Sequence, residues 1–223
     1  MKTIAFDVNE TLLDLAPLDP LFEEAFGDAA LRQQWFGQML QISFAGGLTD
    51  RYVDFTTAQR AALQMLASAR GVDVGDDDAE RILDGMRTLP AHPEVPAALD
   101  RLKDEGFVLA TLTNSPLDVA HDQVRNAGIA DRFDAVLSAD QVKALKPRPE
   151  PYALVARTFD VAQSDVRLVA AHAWDVTGAL AAGCAAAFVL RPGKVPSPLG
   201  DQPDIVAGDL AAVAEAIVAR DRP

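Results

Sequence analysis

An aspartate directly follows a short apolar run near the start of the chain. Residues 4–6 have the composition of a strand buried in a parallel sheet; Asp7 comes next and Thr11 four residues later. In open α/β sheets, ligands bind outside the carboxyl ends of the strands, which is where Asp7 would lie. Since a lone aspartate after a strand more often caps a turn or a helix, later segments must decide its role.

Polar side chains also stand at the ends of later apolar runs, or in the loops that follow them. They are Thr113, Asn114, Lys146 and Asp175. At one sheet edge, these residues would supply a hydroxyl and amide pair, a cation and a second carboxylate. A lysine beside a carboxylate keeps it ionised and neutralises the charge of an anionic substrate. The set is suited to covalent catalysis by Asp7.

Hydrophobic periodicity predicts the elements that position these residues. Between the first strand and residue 90 the spacing is helical, with helices predicted at 31–40, 51–70 and 76–86. From residue 95 onward, helices and apolar strands alternate, which predicts a parallel sheet covered by helices on both faces. The later strands are predicted at 107–112, 135–138, 166–170 and 186–190. The helices of this part are predicted at 96–106, 116–128, 151–159, 176–183 and 209–219.

These patterns predict an α/β fold with a parallel-sheet core and an inserted α-helical cap domain. Residues 1–14 and 91–223 are assigned to the core and residues 15–90 to the cap, with a cluster of prolines where the chain returns to the core. A chain of 223 residues is long enough to bury a core of this kind.

The net charge, the cysteine count and the lengths of the apolar runs exclude several kinds of partner and bond. The formal net charge of −13 argues against a nucleic-acid or anionic-membrane surface, although a local cluster of donors can still bind a small anion. A single cysteine, Cys184, excludes an intramolecular disulfide. We find neither an N-terminal signal pattern nor an apolar run of 18 residues, and therefore expect no membrane partner and a cytoplasmic location.

In order and spacing, these residues resemble the haloacid dehalogenase superfamily. The resemblance rests on Asp7-x-Asn9-x-Thr11, Leu112-Thr113-Asn114, Lys146-Pro147 and Trp174-Asp175. Within the superfamily, the sequence is most similar to the type II L-2-haloacid dehalogenases, through residues 51–55, Tyr152 and residues 173–179. The resemblance implies a Rossmann-like core, a helical cap and a site between them. It also implies SN2 displacement of halide from a small haloacid by an aspartate, hydrolysis of the resulting ester, and inversion at C2.

The resemblance assigns the central chemistry to five residues. Asp7 would be the nucleophile, oriented by Thr11 and kept ionised by Lys146. Thr113 and Asn114 would bind the substrate carboxylate, where the dehalogenases usually have Ser-Asn.

Further residues would complete the site. Asp175 would position or deprotonate the water that attacks the ester, helped by Asn9 or His172. Tyr152 matches a family tyrosine near the site, and Trp174 would form part of the pocket wall. An equally weighted interpretation makes Tyr152 and Trp174 core aromatics with a hydrogen-bonded polar tip.

The sequence departs from the magnesium-dependent phosphatases of the superfamily at two positions. Asn9 stands where they have the general acid, and an amide cannot protonate a leaving alkoxide. Ala171 stands where their last motif has its first aspartate, a loss that weakens a magnesium site. Halide displacement requires neither group, so we expect no metal and no cofactor. A phosphatase with a degraded metal site, or a silent protein that binds a small carboxylate or a protein partner, remains the alternative.

The sequence also departs from the dehalogenases. Phe36 stands where they have the arginine that accepts the halide, and His172 replaces an asparagine that faces the substrate. One hypothesis is that His172 and Asn9 rebuild the halide site; another is that His172 only bonds a neighbouring loop. Arg51 is either a cation that faces the substrate or one partner of a salt bridge between cap and core, and we favour the salt bridge. A homodimer through the cap helices would be in keeping with the family.

Overall fold

Six parallel strands form one sheet in the computed structural model, which describes residues 2–221. The strands are β1 (Thr3–Phe6), β2 (Val108–Thr113), β3 (Ala135–Ser138), β4 (Val166–Ala170), β5 (Ala185–Val189) and β6 (Ile205–Ala207). Their order is β3-β2-β1-β4-β5-β6, so β1 lies between β2 and β4 in the middle of the sheet. Every residue of β1, β2 and β4 is buried, as expected for a sheet covered on both faces. Residues 1 and 222–223 of the predicted core lie outside the described chain.

Helices cover the sheet and fill the long connection after β1. The inserted helices are α1 (Asp19–Phe26), α2 (Leu31–Leu48), α3 (Phe55–Arg70) and α4 (Asp76–Gly85). The helices that alternate with the later strands are α5 (Val95–Asp104), α6 (Leu117–Asn126), α7 (Pro149–Phe159), α8 (Ala173–Ala181) and α9 (Leu210–Asp221). The α/β fold with an inserted helical cap is therefore confirmed. The division at residues 15–90 stays a prediction.

Several predicted element boundaries differ from the observed ones, and α2 extends to Leu48, eight residues beyond its predicted end. Helix α3 begins at Phe55 rather than residue 51, because the Asp54 side chain accepts a hydrogen bond from the Thr57 backbone N–H and caps the helix. Helix α8 begins at Ala173, three residues before its predicted start. Strand β6 has only three residues and was not predicted. The earlier start of α8 matters for function because it places Asp175 in the first helical turn.

The cap packs on the sheet through one continuous apolar cluster. Phe6 of β1 and Val8 after it belong to the same buried cluster as Phe22 of α1 and Trp35 of α2. Within the cap, the Trp35 indole N–H donates to the Gln59 carbonyl oxygen at 3.0 Å. Apolar burial of this kind holds the cap against the carboxyl edge of the sheet.

Polar contacts between cap and core differ from the one predicted for Arg51. The side chain of Arg51 is exposed and has no ion pair with any residue between 2 and 221, so that prediction is wrong. Arg148 joins the two parts instead, since its Nη1 donates to the Gly47 carbonyl at 3.1 Å and to the Asp50 carboxylate at 3.0 Å. Within residues 2–221, no helix combines the length and the apolar character needed to span a membrane.

Candidate active site

The two carboxylate oxygens of Asp7 have different partners. The Asp7 backbone N–H donates to the Val169 carbonyl at 3.0 Å, which extends the pairing of β1 with β4 and fixes Asp7 at the carboxyl edge of the sheet. Oδ1 accepts a hydrogen bond from Lys146 Nζ at 2.9 Å. Oδ2 accepts one from Thr11 Oγ1 at 2.6 Å and lies 2.9 Å from His172 Nδ1. Burial raises the pKa of Asp7, but Lys146 and His172 outweigh it and hold the pKa well below its usual range.

Lys146 is fully buried and joins two carboxylates. Its ammonium group donates to Asp7 Oδ1 at 2.9 Å, to Asp175 Oδ2 at 2.6 Å and to the Leu112 carbonyl at 2.7 Å. Burial lowers the pKa of Lys146, but the charges of Asp175 and Asp7 reverse the effect and raise it. The three N–H donors thus meet three acceptors, which keeps a buried cation beside Asp7.

Asn114 positions the backbone of Lys146. Its Oδ1 accepts from the Lys146 backbone N–H at 2.8 Å, and its Nδ2 donates to the Lys146 carbonyl at 3.2 Å. The hydroxyl of the neighbouring Thr113 accepts from the Ser115 backbone N–H at 3.2 Å. These contacts differ from the predicted role in binding a substrate carboxylate, which stays a prediction.

Asp175 lies in the first turn of α8, between a cation and a phenol. Its Oδ2 accepts from Lys146, and its Oδ1 accepts from the Tyr152 hydroxyl at 2.6 Å. Burial raises the pKa of Asp175, and Lys146 offsets this only in part. Tyr152 is therefore a buried aromatic with a bonded polar tip, and the group that it positions is Asp175.

His172 joins Asp7 to a carboxylate that the sequence analysis did not single out. Its Nδ1 lies 2.9 Å from Asp7 Oδ2, and its Nε2 lies 2.9 Å from Glu10 Oε2. Burial lowers the pKa of His172, but the hydrogen bonds to Asp7 and Glu10 outweigh it and raise the pKa to about 9. The ring is therefore an imidazolium at neutral pH. Since both N–H groups bond carboxylates, neither remains for the halide role predicted for His172.

Two aromatic rings enclose the imidazolium of His172. The Phe36 ring stacks on one side, with centroids 5.9 Å apart and an interplanar angle of 15°. The Trp174 ring stacks at 5.3 Å and 27°. Phe36, which occupies the position predicted for a halide-binding arginine, thus contacts a cation instead of supplying one.

Glu10 connects His172 to a second cation. Its Oε2 accepts from Lys194 Nζ at 2.5 Å as well as from His172. Burial raises the pKa of Glu10, but His172 and Lys194 outweigh it and lower the pKa. The backbone of Glu10 has a φ of 60°, in the left-handed region that non-glycine residues rarely adopt.

The side-chain amide of Asn9 is turned to protein partners. Its Oδ1 accepts from Gln123 Nε2 at 2.8 Å, and its Nδ2 donates to Ser115 Oγ at 3.2 Å. In this geometry Asn9 ties the loop after β1 to α6 and to the loop after β2. The predicted part of Asn9 in a halide site or in water activation stays a prediction.

Trp174 carries a buried donor without a partner. Its indole Nε1 is buried and bonds no other residue of the described chain, 2–221. The ring contacts Phe44 of α2 at 5.4 Å between centroids, and Lys146 Nζ lies 5.8 Å from the ring centroid. The expectation of a bonded polar tip is therefore wrong for Trp174, because its N–H is unbonded and its ring lies beside Lys146.

Charged groups of both signs balance within the site. Its carboxylates are Asp7, Glu10 and Asp175, and its cations are Lys146, His172 and Lys194. Among residues 2–221, no group of three or more His, Cys, Asp or Glu side chains is arranged to hold a metal ion. The donors around Asp7 are a lysine, a threonine and a histidine, whereas magnesium prefers oxygen ligands.

Most residues predicted for the site lie in one connected cluster. Its predicted members are Asp7, Thr11, Phe36, Asn114, Lys146, Tyr152, His172, Trp174 and Asp175. Glu10 and Lys194 were missed. A carboxylate three residues after Asp7 was the available signal for Glu10, whereas no pattern singled out Lys194.

Known proteins of similar sequence and structure place the chain in a family. A model described as haloacid dehalogenase-like hydrolase matches residues 1–183. The (S)-2-haloacid dehalogenase of Pseudomonas sp. (strain YL) is 32% identical over 217 residues, 96% of this chain and 94% of that protein. The haloacetate dehalogenase H-2 of Moraxella sp. (strain B) is 28% identical over 219 residues, 97% of this chain and 98% of that protein.

A solved structure agrees over the full length. The L-2-haloacid dehalogenase from Xanthobacter autotrophicus, with chloropropionic acid covalently bound, matches with a TM-score of 0.91 at 25% identity and covers 100% of both chains. The resemblance predicted from the four motifs is confirmed by these matches. The chain belongs to the haloacid dehalogenase-like hydrolases.

Proposed function

We propose that this enzyme hydrolyses short 2-haloacids by way of an aspartyl ester on Asp7. The observation that carries the proposal is the buried Asp7 carboxylate, held ionised by Lys146 and bonded at Oδ1 by that cation alone among residues 2–221. Relatives named (S)-2-haloacid dehalogenase and haloacetate dehalogenase support a small haloacid as substrate. The overall reaction converts a 2-haloacid and water into a 2-hydroxy acid, halide and a proton.

In the first half-reaction, Asp7 displaces the halide. Oδ1 attacks C2, a C–O bond forms, and the carbon–halogen bond breaks with its electron pair leaving on the halide. Attack from the side opposite the halogen inverts C2. Lys146 and Thr11 keep the carboxylate ionised and oriented, and the leaving halide requires no general acid.

In the second half-reaction, water hydrolyses the ester. Asp175 is the base, because its raised pKa increases its affinity for the proton that the attacking water loses. Tyr152 fixes one Asp175 oxygen and Lys146 the other. The carboxylate therefore stays oriented through the step.

The substrate contacts are proposed from the same cluster. Thr113 and Asn114 end β2 beside Lys146 and are the candidates to bind the substrate carboxylate. Phe36 and Trp174 form the walls around the imidazolium of His172, and the unbonded Trp174 N–H is a donor for an anionic ligand group. A narrow aromatic wall of this kind suits haloacids with short chains.

Two further properties concern the assembly and the location of the chain. We propose a homodimer through the cap helices, where Leu48 of α2 and Met65 of α3 are exposed apolar side chains. Sedimentation or light scattering of the purified chain measures this directly. A cytoplasmic location is tested by fractionation of the producing cells.

The test of the function is halide release measured in EDTA. The substrates are fluoro-, chloro- and bromoacetate and each enantiomer of 2-chloropropionate, beside an Asp7→Asn control. We expect the wild type to release halide from haloacetates and from only one enantiomer of 2-chloropropionate. The Asp7→Asn control should release none. Turnover of a phosphate ester only after magnesium is added would support the phosphatase instead, and a lack of turnover in both assays would leave a binding protein. The phosphatase is disfavoured because the Asn9 amide bonds Gln123 and Ser115 and supplies no acid.

A further inference from the structure

We propose that His172 donates the hydrogen bond that stabilises the oxyanion during ester hydrolysis, and that Glu10 is the positioning residue that holds it there. The inference rests on the proposed function, because it concerns the second half-reaction of that chemistry. It replaces the predicted halide role of His172 with a role at the ester carbonyl.

The unequal partners of the Asp7 oxygens identify the nucleophilic one. A carboxylate oxygen has about two lone-pair sites for hydrogen bonds. Oδ2 uses both, for Thr11 and His172, whereas Oδ1 accepts only from Lys146 among the described residues. Oδ1 therefore keeps a free lone pair for attack on C2, and Oδ2 becomes the carbonyl oxygen of the ester.

The electron balance of hydrolysis then places negative charge on Oδ2. Water attacks Cγ of the Asp7 ester and transfers one proton to Asp175, while the C–O π electrons move to Oδ2. The oxyanion collapses, the bond from Cγ to Oδ1 breaks, and the 2-hydroxy acid leaves with Oδ1 as its hydroxyl oxygen and the proton from Asp175. The remaining proton of the water is released as the Asp7 carboxylate reforms.

His172 and Thr11 have the geometry of an oxyanion hole for this step. Their donor atoms lie 2.9 Å and 2.6 Å from Oδ2 before any charge develops there. Donors that are already in place in a water-excluded site cost no reorganisation when the charge appears. An imidazolium is the stronger of these two donors because it is charged.

Glu10 and the aromatic rings fix the orientation of His172. Glu10 accepts from Nε2, which directs Nδ1 toward Asp7, and Phe36 and Trp174 restrict rotation of the ring. The left-handed backbone of Glu10 is strained for a non-glycine residue, and such strain is concentrated at functional sites. Lys194 holds the same Glu10 oxygen from the other side.

The charges around His172 come from several elements. The loop after β1 contributes Asp7 and Glu10, and Lys194 follows β5. Lys146 bonds Asp7 on its other oxygen, and Asp175 bonds Lys146. The α2 residue that contacts the ring, Phe36, carries no charge. Glu10 and Lys194 also line a cleft of about 500 Å³, whose other titratable lining residues are Asp14, Arg32, His92 and Arg191. Through this cleft, Glu10 and the His172 ring bonded to it can exchange protons with solvent.

The first test separates the two half-reactions in His172→Ala and His172→Asn. Excess chloroacetate is mixed with a known amount of each variant, chloride is counted over the first turnover, and the intact protein is weighed by mass spectrometry. We expect one chloride per Asp7 and a retained carboxymethyl group in both variants. Steady-state turnover should fall about 10²- to 10³-fold in His172→Ala, the usual effect of losing one oxyanion donor. The asparagine variant, which keeps a neutral donor, should lie between His172→Ala and wild type.

The results that overturn the inference differ from those that overturn the proposed function. If turnover is unchanged, or if both His172 variants lose the chloride burst while Glu10→Gln keeps it, His172 does not act on the ester. The burst itself reports that a variant is folded and binds substrate. A wild type that releases no halide from any haloacid would instead contradict the proposed function.

The second test addresses Glu10 through the pH profile. Glu10→Gln keeps a hydrogen-bond acceptor for His172 but removes the charge that favours the imidazolium. We expect the alkaline limb of kcat to move to lower pH, with the chloride burst retained. Glu215→Gln changes an exposed residue of α9 that pairs with Arg101 of α5, outside the site; it is the matched control and should leave the profile in place. An unchanged alkaline limb in Glu10→Gln would show that Glu10 does not hold His172 protonated.

Discussion

The buried indole N–H of Trp174 is the group in the site for which the protein provides no partner among residues 2–221. A buried donor that is left unbonded costs about 1–3 kcal/mol, so the folded protein gains if a ligand accepts from it. Trp174→Phe keeps an aromatic ring beside His172 and removes this donor together with part of the indole ring. We therefore expect kcat/KM for haloacetates to fall about 10-fold or more, the equivalent of one hydrogen bond to a charged acceptor.

The matched control for this change is Trp35→Phe in the cap. The Trp35 N–H is bonded to the Gln59 carbonyl, so its loss should lower the free energy of unfolding by about 1–3 kcal/mol and leave kcat/KM nearly unchanged. Chemical denaturation and steady-state kinetics on both variants give the comparison. A Trp174→Phe enzyme with unchanged kcat/KM would show that the indole N–H contacts no ligand.

The protonation of His172 makes the stability of the protein depend on pH. Its pKa is about 9 in the folded protein against 6.5 for the ordinary side chain, so the folded state favours the proton. The resulting stabilisation is complete below about pH 6.5 and is lost as the pH rises through about 9. We expect the difference in free energy of unfolding between wild type and His172→Asn to shrink over this interval in denaturation series. A constant difference would contradict a protonated His172.

Among single residues, the motifs predicted the groups that we propose to react but not the network of hydrogen bonds around them. Asp7, Lys146 and Asp175 follow apolar runs, and the parallel sheet brings such positions to one edge. Glu10 depends on His172, 162 residues away, and on Lys194, 184 residues away. No local pattern reports a pairing of that kind, or a left-handed glutamate.

Among the elements, the close approach of α7 to α8 is what places Tyr152 against Asp175. Gly178 of α8 makes this approach possible, since a Cβ there would lie 2.5 Å from the Tyr152 hydroxyl and 2.6 Å from the Pro147 Cβ. Gly178→Ala should therefore lower the free energy of unfolding by about 1–3 kcal/mol, the usual cost of overpacking. It should also lower kcat, because Tyr152 and the loop of Lys146 must move.

Gly37→Ala is the control for Gly178→Ala. Gly37 is an exposed residue within α2, away from both helix ends, and a Cβ there would meet nothing within 4 Å. This variant should gain up to about 1 kcal/mol of stability from the better helix propensity of alanine, with unchanged activity. Thermal or urea unfolding distinguishes the two. Equal stabilisation in both variants would refute the packing argument for Gly178.

The elements themselves were largely predictable, and their exceptions have local causes. Strands β2 to β5 are apolar runs of four to six residues, which periodicity identifies well. Strand β6 is too short for any pattern to stand out, and it is held by pairing with β5. The start of α8 was misplaced because Trp174 and Asp175 were interpreted as residues of the preceding loop, whereas they form its first turn.

For the whole molecule, the overall charge and the site charge differ. The chain carries a formal net charge of −13, whereas the buried site pairs its three carboxylates with three cations. The net charge of the chain therefore says little about the substrate. The charged groups and donors within the site determine which anion binds. The net charge predicted that nucleic acids and anionic membranes are not partners. The convergence of β1, β4, the loop after β5 and α2 on Asp7 is visible only in the folded structure.

The central claim is that Asp7, not water, displaces the halide, and one isotope experiment tests it most directly. Chloroacetate is turned over once by excess enzyme in ¹⁸O-labelled water, and the product and the Asp7 peptide are analysed by mass spectrometry. The account predicts that the hydroxyl oxygen of the glycolate is unlabelled and that the Asp7 carboxylate gains the label. Label in the glycolate hydroxyl during this first turnover, with an unlabelled Asp7, would mean direct attack by water and would contradict the account.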